Sequence, residues 1–560
     1  MKWISTARLL VALGFACMAS QAMAQMGETA QSFDELSARL EQQNRQIQQL
    51  QAQVQGMQQG VNATPVAYAP GSGTAATAAP ADPKCAEVGS DMSVKARFYN
   101  GAGLMFETPD KDFTMHAGFW VQWDSNWYNE SLGMNAAKGS ATVQGPGAGG
   151  IGPLEDGTYW RRIRPFVEGT CWETCEYRFN LALENNQYST CGLDEFFIGM
   201  HDLPLVGTVR VGHVKNCLGL EGDMASSSRC MTFMERSSYS QAIEKDQNFV
   251  NGMWLGNTWL DDRVFGSFVV FRPDNASSGD FFGTGEYGVQ TRWSCLPLYE
   301  DEGRHLLHLG LSGGWQTGTN SVGAGTTGAD AITLQARPEF RDDDPGASPG
   351  ATTNANGAGG AGQYLADANA NRLVSTGSIA CNNEYLLGTE LLYIRGPFSF
   401  QAEYGWNFLN DAQVTVGSGT HPVENYVFNG GYVQATYLLT GENRAYDKKY
   451  GTLSRYYLGG QGPYENAFLV RDADGNLCSG RGAVELALRY SYLDLNSGFG
   501  IPNGYVNGGQ MQGISVGLNW YLNTNLTVNT EWVYDNRYDL PTNVTSGSVC
   551  AFGTRVQLSF

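Results

Sequence analysis

The chain has 560 residues, with 35 Lys and Arg against 55 Asp and Glu and a formal net charge of −20 at pH 7. So acidic a balance argues against a nucleic-acid partner, because binding phosphate backbones calls for basic stripes. Past the N-terminal segment no stretch has the roughly 18 uninterrupted apolar residues of a spanning helix. Yet 27 Tyr, 26 Phe and 13 Trp accompany a mean hydropathy of only −0.29, a composition that suits a barrel wall showing alternate residues to lipid.

Lys2 and Arg8 precede an apolar run over residues 9–19, and Ala22-Met23-Ala24 supplies a small-x-small cleavage pattern, which predicts a signal peptide over 1–24. Gly14 stands where a lipobox ahead of Cys17 would carry leucine, so an exported, cleaved chain is preferred to a lipoprotein. Losing Lys2 and Arg8 leaves a mature charge of about −22. Residues 25–60 read as a coiled coil: Phe33, Leu36, Leu40, Gln43, Ile47, Leu50, Val54 and Met57 step by three and four, with Gln43 as the polar layer. Residues 61–91 are an Ala/Pro/Gly/Ser/Thr-rich flexible linker.

Residues 92–560 predict an all-β domain, a transmembrane antiparallel β-barrel of about 16 strands. Alternation is clear at Met115-Ala117-Phe119-Val121-Trp123, at Val484-Leu486-Leu488-Tyr490-Tyr492, and in the closing segment, where Cys550, Phe552, Val556, Leu558 and Phe560 oppose Arg555 and Gln557. Trp127 and Tyr128, Trp254 and Trp259, Trp520 and Tyr521, and Trp532 and Tyr534 are expected in the interfacial girdles. Arg395-Gly396-Pro397 and Asn523-Thr524-Asn525 are tight turns of the periplasmic kind, whereas Thr317 to Ala380 is a long external excursion. By strand parity Thr440 to Gly482 falls on the short-turn side. It is either a periplasmic insertion tucked into the lumen or a further strand pair.

Several segments together resemble the porin O and P family, the phosphate-selective porins. They include Gly207-Thr-Val-Arg-Val-Gly-His-Val-Lys215, Thr232-Phe-Met-Glu-Arg-Ser237, Arg161-Arg-Ile-Arg-Pro-Phe-Val-Glu-Gly169, Gln335-Ala-Arg-Pro-Glu339, Gly396-Pro-Phe-Ser-Phe-Gln-Ala-Glu-Tyr404 and Leu488-Arg-Tyr-Ser-Tyr-Leu-Asp494. The resemblance spans nearly all of residues 95–560. It implies an outer-membrane location, a homotrimer of sixteen-stranded barrels in outer-membrane lipid, and a third external loop folded inward. That loop would be Asn216 to Gln247, with Arg229, Glu235, Arg236 and Lys245 at the constriction.

Strand phase places Arg162, Arg164, Glu168, Arg178, Arg210, Arg292, Arg489 and Arg555 on the water side, and Lys215 joins them in the expected pore lining. An arginine on the lipid face would cost about 2–4 kcal/mol at the midplane. These arginines form either a phosphate-conducting track or a set paired with the inward acids Asp124, Glu176, Glu184, Glu390, Glu403, Glu485 and Glu531. The pairing reading is preferred because the acids are as numerous.

Ten cysteines remain after the signal, and in an exported chain they favour disulfides. Parity puts Cys85, Cys171, Cys175, Cys295 and Cys478 on the periplasmic side, and Cys191, Cys217, Cys230, Cys381 and Cys550 on the outer side. Bridges are expected at Cys171 to Cys175 and at Cys217 to Cys230. None of the six histidines sits in a catalytic setting. His305 and His308, three apart on a strand, should face opposite sides, and Asp472-Ala-Asp-Gly-Asn476 reads as a hairpin turn rather than a calcium loop. No enzyme, metal or cofactor is expected. The function read from the sequence is passive diffusion of small hydrophilic solutes and inorganic anions through an outer-membrane porin. The alternative is an envelope protein whose barrel anchors a periplasmic tether.

Overall fold

Sixteen strands run antiparallel from Thr114–Glu130 to Gly547–Ser559, and the last pairs with the first, from Val549 opposite Glu130 to Ser559 opposite Trp120. The closure leaves no edge, which a wall surrounded by hydrocarbon requires. The computed structural model describes Gly89 and residues 91–560 apart from 100–102, 132–133, 135–150, 152–153, 155, 184–191, 225–230, 245–248, 274–286, 318–331, 341–371, 415–420, 459–464, 469, 472–474, 503 and 541–544. The chain divides into two units, Met1–Cys85 and Ala86–Phe560. The expected signal peptide, coiled coil and most of the linker lie outside the described residues.

Alternation holds along the wall. In the strand Ala483–Ser497, Leu486, Leu488 and Tyr490 are exposed to the surroundings, while Glu485, Arg489 and Ser491 are buried inside. In the closing strand Phe552 and Val556 face outward and Arg555 and Gln557 inward. The Phe560 amide donates to the Phe119 carbonyl and the two rings lie 5.2 Å apart, so the terminal aromatic fastens the seam. A hairpin the sequence reading does not contain, Lys95–Tyr99 with Gly103–Glu107, continues the wall below that seam. Its second strand pairs with Thr114 to Ala117, where the closing strand has already ended.

The expected girdle is only partly an outer feature. Trp127, Trp259, Trp520, Trp532 and Tyr534 face out, but Trp254 is only 4% exposed and Tyr521 is buried. Trp254 lies 4.9 Å from the Arg210 guanidinium and the Tyr521 hydroxyl donates to Glu485. Both are inward-facing, and aromatic type alone does not report strand phase.

Two adjacent arginines on one strand show where strict alternation breaks. The register between Thr114–Glu130 and Gly157–Cys171 shifts at Arg161, so that Arg161 and Arg162 are both buried inside. A bulge of this kind inserts one residue and re-aims its neighbours. A second shift, beside Asp194 and Glu195, likewise buries both of those acids.

Cys171 and Cys175 stand directly opposite each other across the turn Trp172-Glu173-Thr174, both as thiols. Directly opposed residues have Cα atoms about 4.5–5.5 Å apart, inside the roughly 7 Å limit of a bridge. Cys230 lies outside the described residues. The expected outcome of peptide mapping on oxidised, unreduced protein is a Cys171–Cys175 linked peptide; recovering both as alkylated thiols would refute it.

Candidate functional site

The lumen is occupied by three pieces of chain that the wall grips through its inward charges. The first is the expected inward loop. Glu403 on the strand Phe398–Val414 accepts the Leu220 and Glu221 amides at 2.5 and 2.8 Å, and Glu531 accepts the Met234 amide at 2.7 Å. A short helix, Ser238–Ala242, is capped by the Ser237 hydroxyl, which accepts from the Ser240 amide. Glu235 binds Arg161 through two parallel contacts of 2.7 and 2.9 Å and Arg555 at 3.0 Å. Those cations hold the Glu235 carboxyl well below the usual carboxylate range against the opposing effect of burial. Arg236 is buried and donates to the Glu221 carbonyl. Arg229 and Lys245 lie outside the described residues.

The second piece is the described part of the expected external excursion, residues 332–340 and 372–380: Leu334, Ala336, Leu373, Val374 and Ile379 join a buried apolar cluster with Tyr239, Ile243, Leu409 and Phe428. Glu339 is buried, accepts the Ser238 amide at 2.6 Å and is clasped by Arg489 at 2.7 Å. The Glu339 amide donates to Asp535. Glycines in the wall make room for the aromatics of these inserts. A Cβ on Gly553 would lie 2.0 Å from the Phe340 ring, and one on Gly405 would lie 2.6 Å from the Tyr239 hydroxyl.

The third piece is the described part of the segment Thr440 to Gly482, which adds no strand pair to the wall. It contains a small hairpin, Arg444–Asp447 with Thr452–Leu458, and that hairpin enters the lumen. Arg292 donates to the Gly451 carbonyl at 2.7 Å, Arg210 to the Tyr450 hydroxyl at 2.6 Å, and Arg444 to Glu485 at 3.1 Å. His308, buried, meets the Tyr446 hydroxyl at 2.7 Å, while His305 on the other side of its strand is half-buried. Further along, Val470–Arg471 pairs with Leu477–Cys478; residues 472–474 of the expected turn lie outside the described residues.

The wall arginines are mostly used up in these contacts. Arg164 pairs with Asp194, Arg178 with Glu168 and Glu195, Arg210 with Glu176, Arg292 with Glu390, Arg489 with Glu221 and Glu339, and Arg555 with Asp124 and Glu235. Glu168 also meets His116 at 2.9 Å. Arg162 differs. It is 1% exposed, donates to Gln122 at 2.6 Å, and among the described residues pairs with no carboxylate. Lys215 has the opposite parity to Arg210 and sits half-buried at the outer end of its strand, so it does not extend the arginine set.

Sequence reasoning missed Arg161, Asp194 and Glu339. For the first two a signal exists: adjacent charged residues in a membrane strand cannot both obey alternation without one entering hydrocarbon. Glu339 carries no such signal, because its loop position says nothing of the wall arginine it meets.

A closed transmembrane barrel with loops folded into a charged lumen defines the porin class of architecture. The sequence profile described as phosphate-selective porin O and P matches residues 152–366 and 358–560, and the chain belongs to that family. Its location is the outer membrane. It is 22% identical to Porin O of Pseudomonas aeruginosa over 480 residues, 84% of this chain and 93% of that one. It is 26% identical to an uncharacterized protein of Caulobacter vibrioides over 351 residues, 61% of this chain and 56% of the relative. Among solved structures it resembles the outer membrane channel DcaP of Acinetobacter baumannii, with a TM-score of 0.43 at 9% identity, covering 80% of this chain and 97% of that one. It also resembles an anion-selective porin from Comamonas acidovorans, with a TM-score of 0.42 at 10% identity over 80% and 100% of the two chains.

Two outcomes follow from this packing. Gly553→Val should push Phe340 out of its recess at about 1–3 kcal/mol and expose residues 332–340 to limited proteolysis; an unchanged cleavage pattern would show that the recess does not anchor the insert. Arg292→Ala removes one partner of a buried pair, a loss of about 3–5 kcal/mol, and frees the Tyr450 and Gly451 carbonyls. Single-channel conductance should then rise, and an identical conductance would place the hairpin away from the ion path.

Proposed function

We propose that this protein is a passive outer-membrane porin for small hydrophilic solutes and ions, with a weak anion preference and no tight phosphate site. The observation that carries this reading is the pairing of every predicted wall arginine except Arg162 with a carboxylate. A paired guanidinium presents little net field to a passing ion, and its donors are already engaged. One uncompensated cation in a narrow low-dielectric passage still favours anions, since such a passage focuses the field. The protein works in this reading as a homotrimer, the assembly that family membership implies, with a periplasmic coiled coil over residues 25–60 and a flexible linker over 61–91. It needs no cofactor and performs no reaction.

Purified protein in planar bilayers tests the reading directly. Stepwise conductance is expected, and its complete absence would make the barrel an anchor instead. In a KCl gradient the reversal potential should show a slight anion preference, and micromolar phosphate should leave the chloride current intact. Block at that concentration would overturn the absence of a tight site. Replacing Arg162 and Arg164 together by Glu should turn the preference towards cations; an unmoved reversal potential would take both residues off the ion path.

A further inference from the structure

The inward loop carries more buried carboxylates than the cations around it neutralise. Glu244 is 3% exposed; its Oε2 lies 2.8 Å from the Ser240 hydroxyl, and its Oε1 has no hydrogen-bond partner. Gly219 closes over it with φ of +68°, and a Cβ there would lie 1.8 Å from Oε1. From its own loop Glu244 faces Glu221 and the Tyr239 phenol, and from the wall it faces Glu390. Glu403, with Tyr432 donating to it, lies against Tyr239. The nearby cations are committed elsewhere: Arg489 to Glu221 and Glu339, Arg292 and His308 to Glu390, and Arg236 to the Glu221 carbonyl. Among the described residues no cation pairs with Glu244 or Glu403.

Counting protons at Ser240 shows where one fits. Its hydroxyl has a single hydrogen but lies within bonding distance of two carboxyl oxygens, Glu221 Oε2 at 3.0 Å and Glu244 Oε2 at 2.8 Å. Glu221 also accepts from the Ser237 amide and hydroxyl and is paired with Arg489, whereas Glu244 has no such cation among the described residues. With a proton on Glu244 both contacts are made at once, Ser240 donating to Glu221 and accepting from Glu244; without it only one of the two can form.

We propose that Glu244 is a neutral, proton-binding carboxyl that latches the constriction loop inside the barrel, and that its ionisation releases the loop towards a more open pore. This rests on the porin reading above. Burial pushes the Glu244 carboxyl up to about 8, with Glu221 and Glu390 adding repulsion and the Ser240 bond opposing it. The sign follows from linkage. A loop swung out into water has an ordinary Glu of about 4.3, so the inward position is most favoured below that value. It weakens about tenfold per pH unit above it and stops weakening once Glu244 ionises in place near pH 8.

Single-channel recordings on the full-length protein between pH 5 and 9 read this out. The wild type should move progressively into larger-conductance openings as pH rises, whereas Glu244→Gln, which is neutral at every pH, should lose that dependence. Infrared spectra supply a readout free of conductance: the protonated-carboxyl carbonyl band at pH 6 should lose intensity in Glu244→Gln, and the part lost there should weaken in the wild type by pH 9. A pH-independent wild type, or the same pH dependence in Glu244→Gln, overturns the latch while leaving the porin reading intact. A protein with no conductance at any pH overturns the porin reading itself, and the infrared comparison then still decides whether Glu244 carries a proton.

Discussion

Hydrocarbon offers no hydrogen-bond partner to a peptide group, so a chain that crosses a bilayer as strands must bond every strand on both sides. The seam between Thr114–Glu130 and Gly547–Ser559 is where this protein meets that demand. Once the sheet is closed, each strand has one face in lipid and one face enclosed, and a one-residue slip would exchange them. The placement of Arg489, Arg555 and their partners follows from that single condition. The bulge at Arg161 is its local exception: an extra residue in the strand lets two consecutive guanidiniums stay out of the membrane.

Enclosing many charges raises a second problem, because an unpaired ion away from bulk water is costly. The inserts solve part of it. Wall carboxylates Glu403, Glu531 and Asp535 accept main-chain amides of the inward loops, and wall arginines donate to insert carbonyls and carboxylates. The same bonds therefore neutralise the wall and position the chain that narrows it. Apolar packing adds to them, with Phe340 and Tyr239 seated over wall glycines and a buried cluster joining the two external inserts. Constriction and charge balance are thus one arrangement, and a pore built this way sorts ions by what is left over rather than by the number of arginines facing inward.

Much of the wall was legible from residue order alone, because alternation is a local property imposed by lipid. The closing strand and its terminal Phe560, the inward phase of Arg162, Arg489 and Arg555, and the separation of His305 from His308 were all readable for that reason. Local rules failed where a residue's environment is set by something distant. Trp254 and Tyr521 have the residue type of a girdle, yet each has an ionic partner on the lumen side, Arg210 and Glu485. The excursion over Thr317 to Ala380 has the composition of an exposed loop, and the burial of Glu339 within it depends on Arg489 and Asp535, far along the chain.

By itself, then, the sequence determined the strands, their phase, the two kinds of connection and the presence of mixed charge inside, since each follows from periodicity 2 against a hydrocarbon solvent. Only the tertiary structure decided which charges meet. Arg161 and Glu235 are 74 residues apart, and Arg555 and Met234 are 321 apart. Such pairings exist because barrel closure brings distant strands around one narrow space, where the cost of leaving a buried ion alone selects its partner.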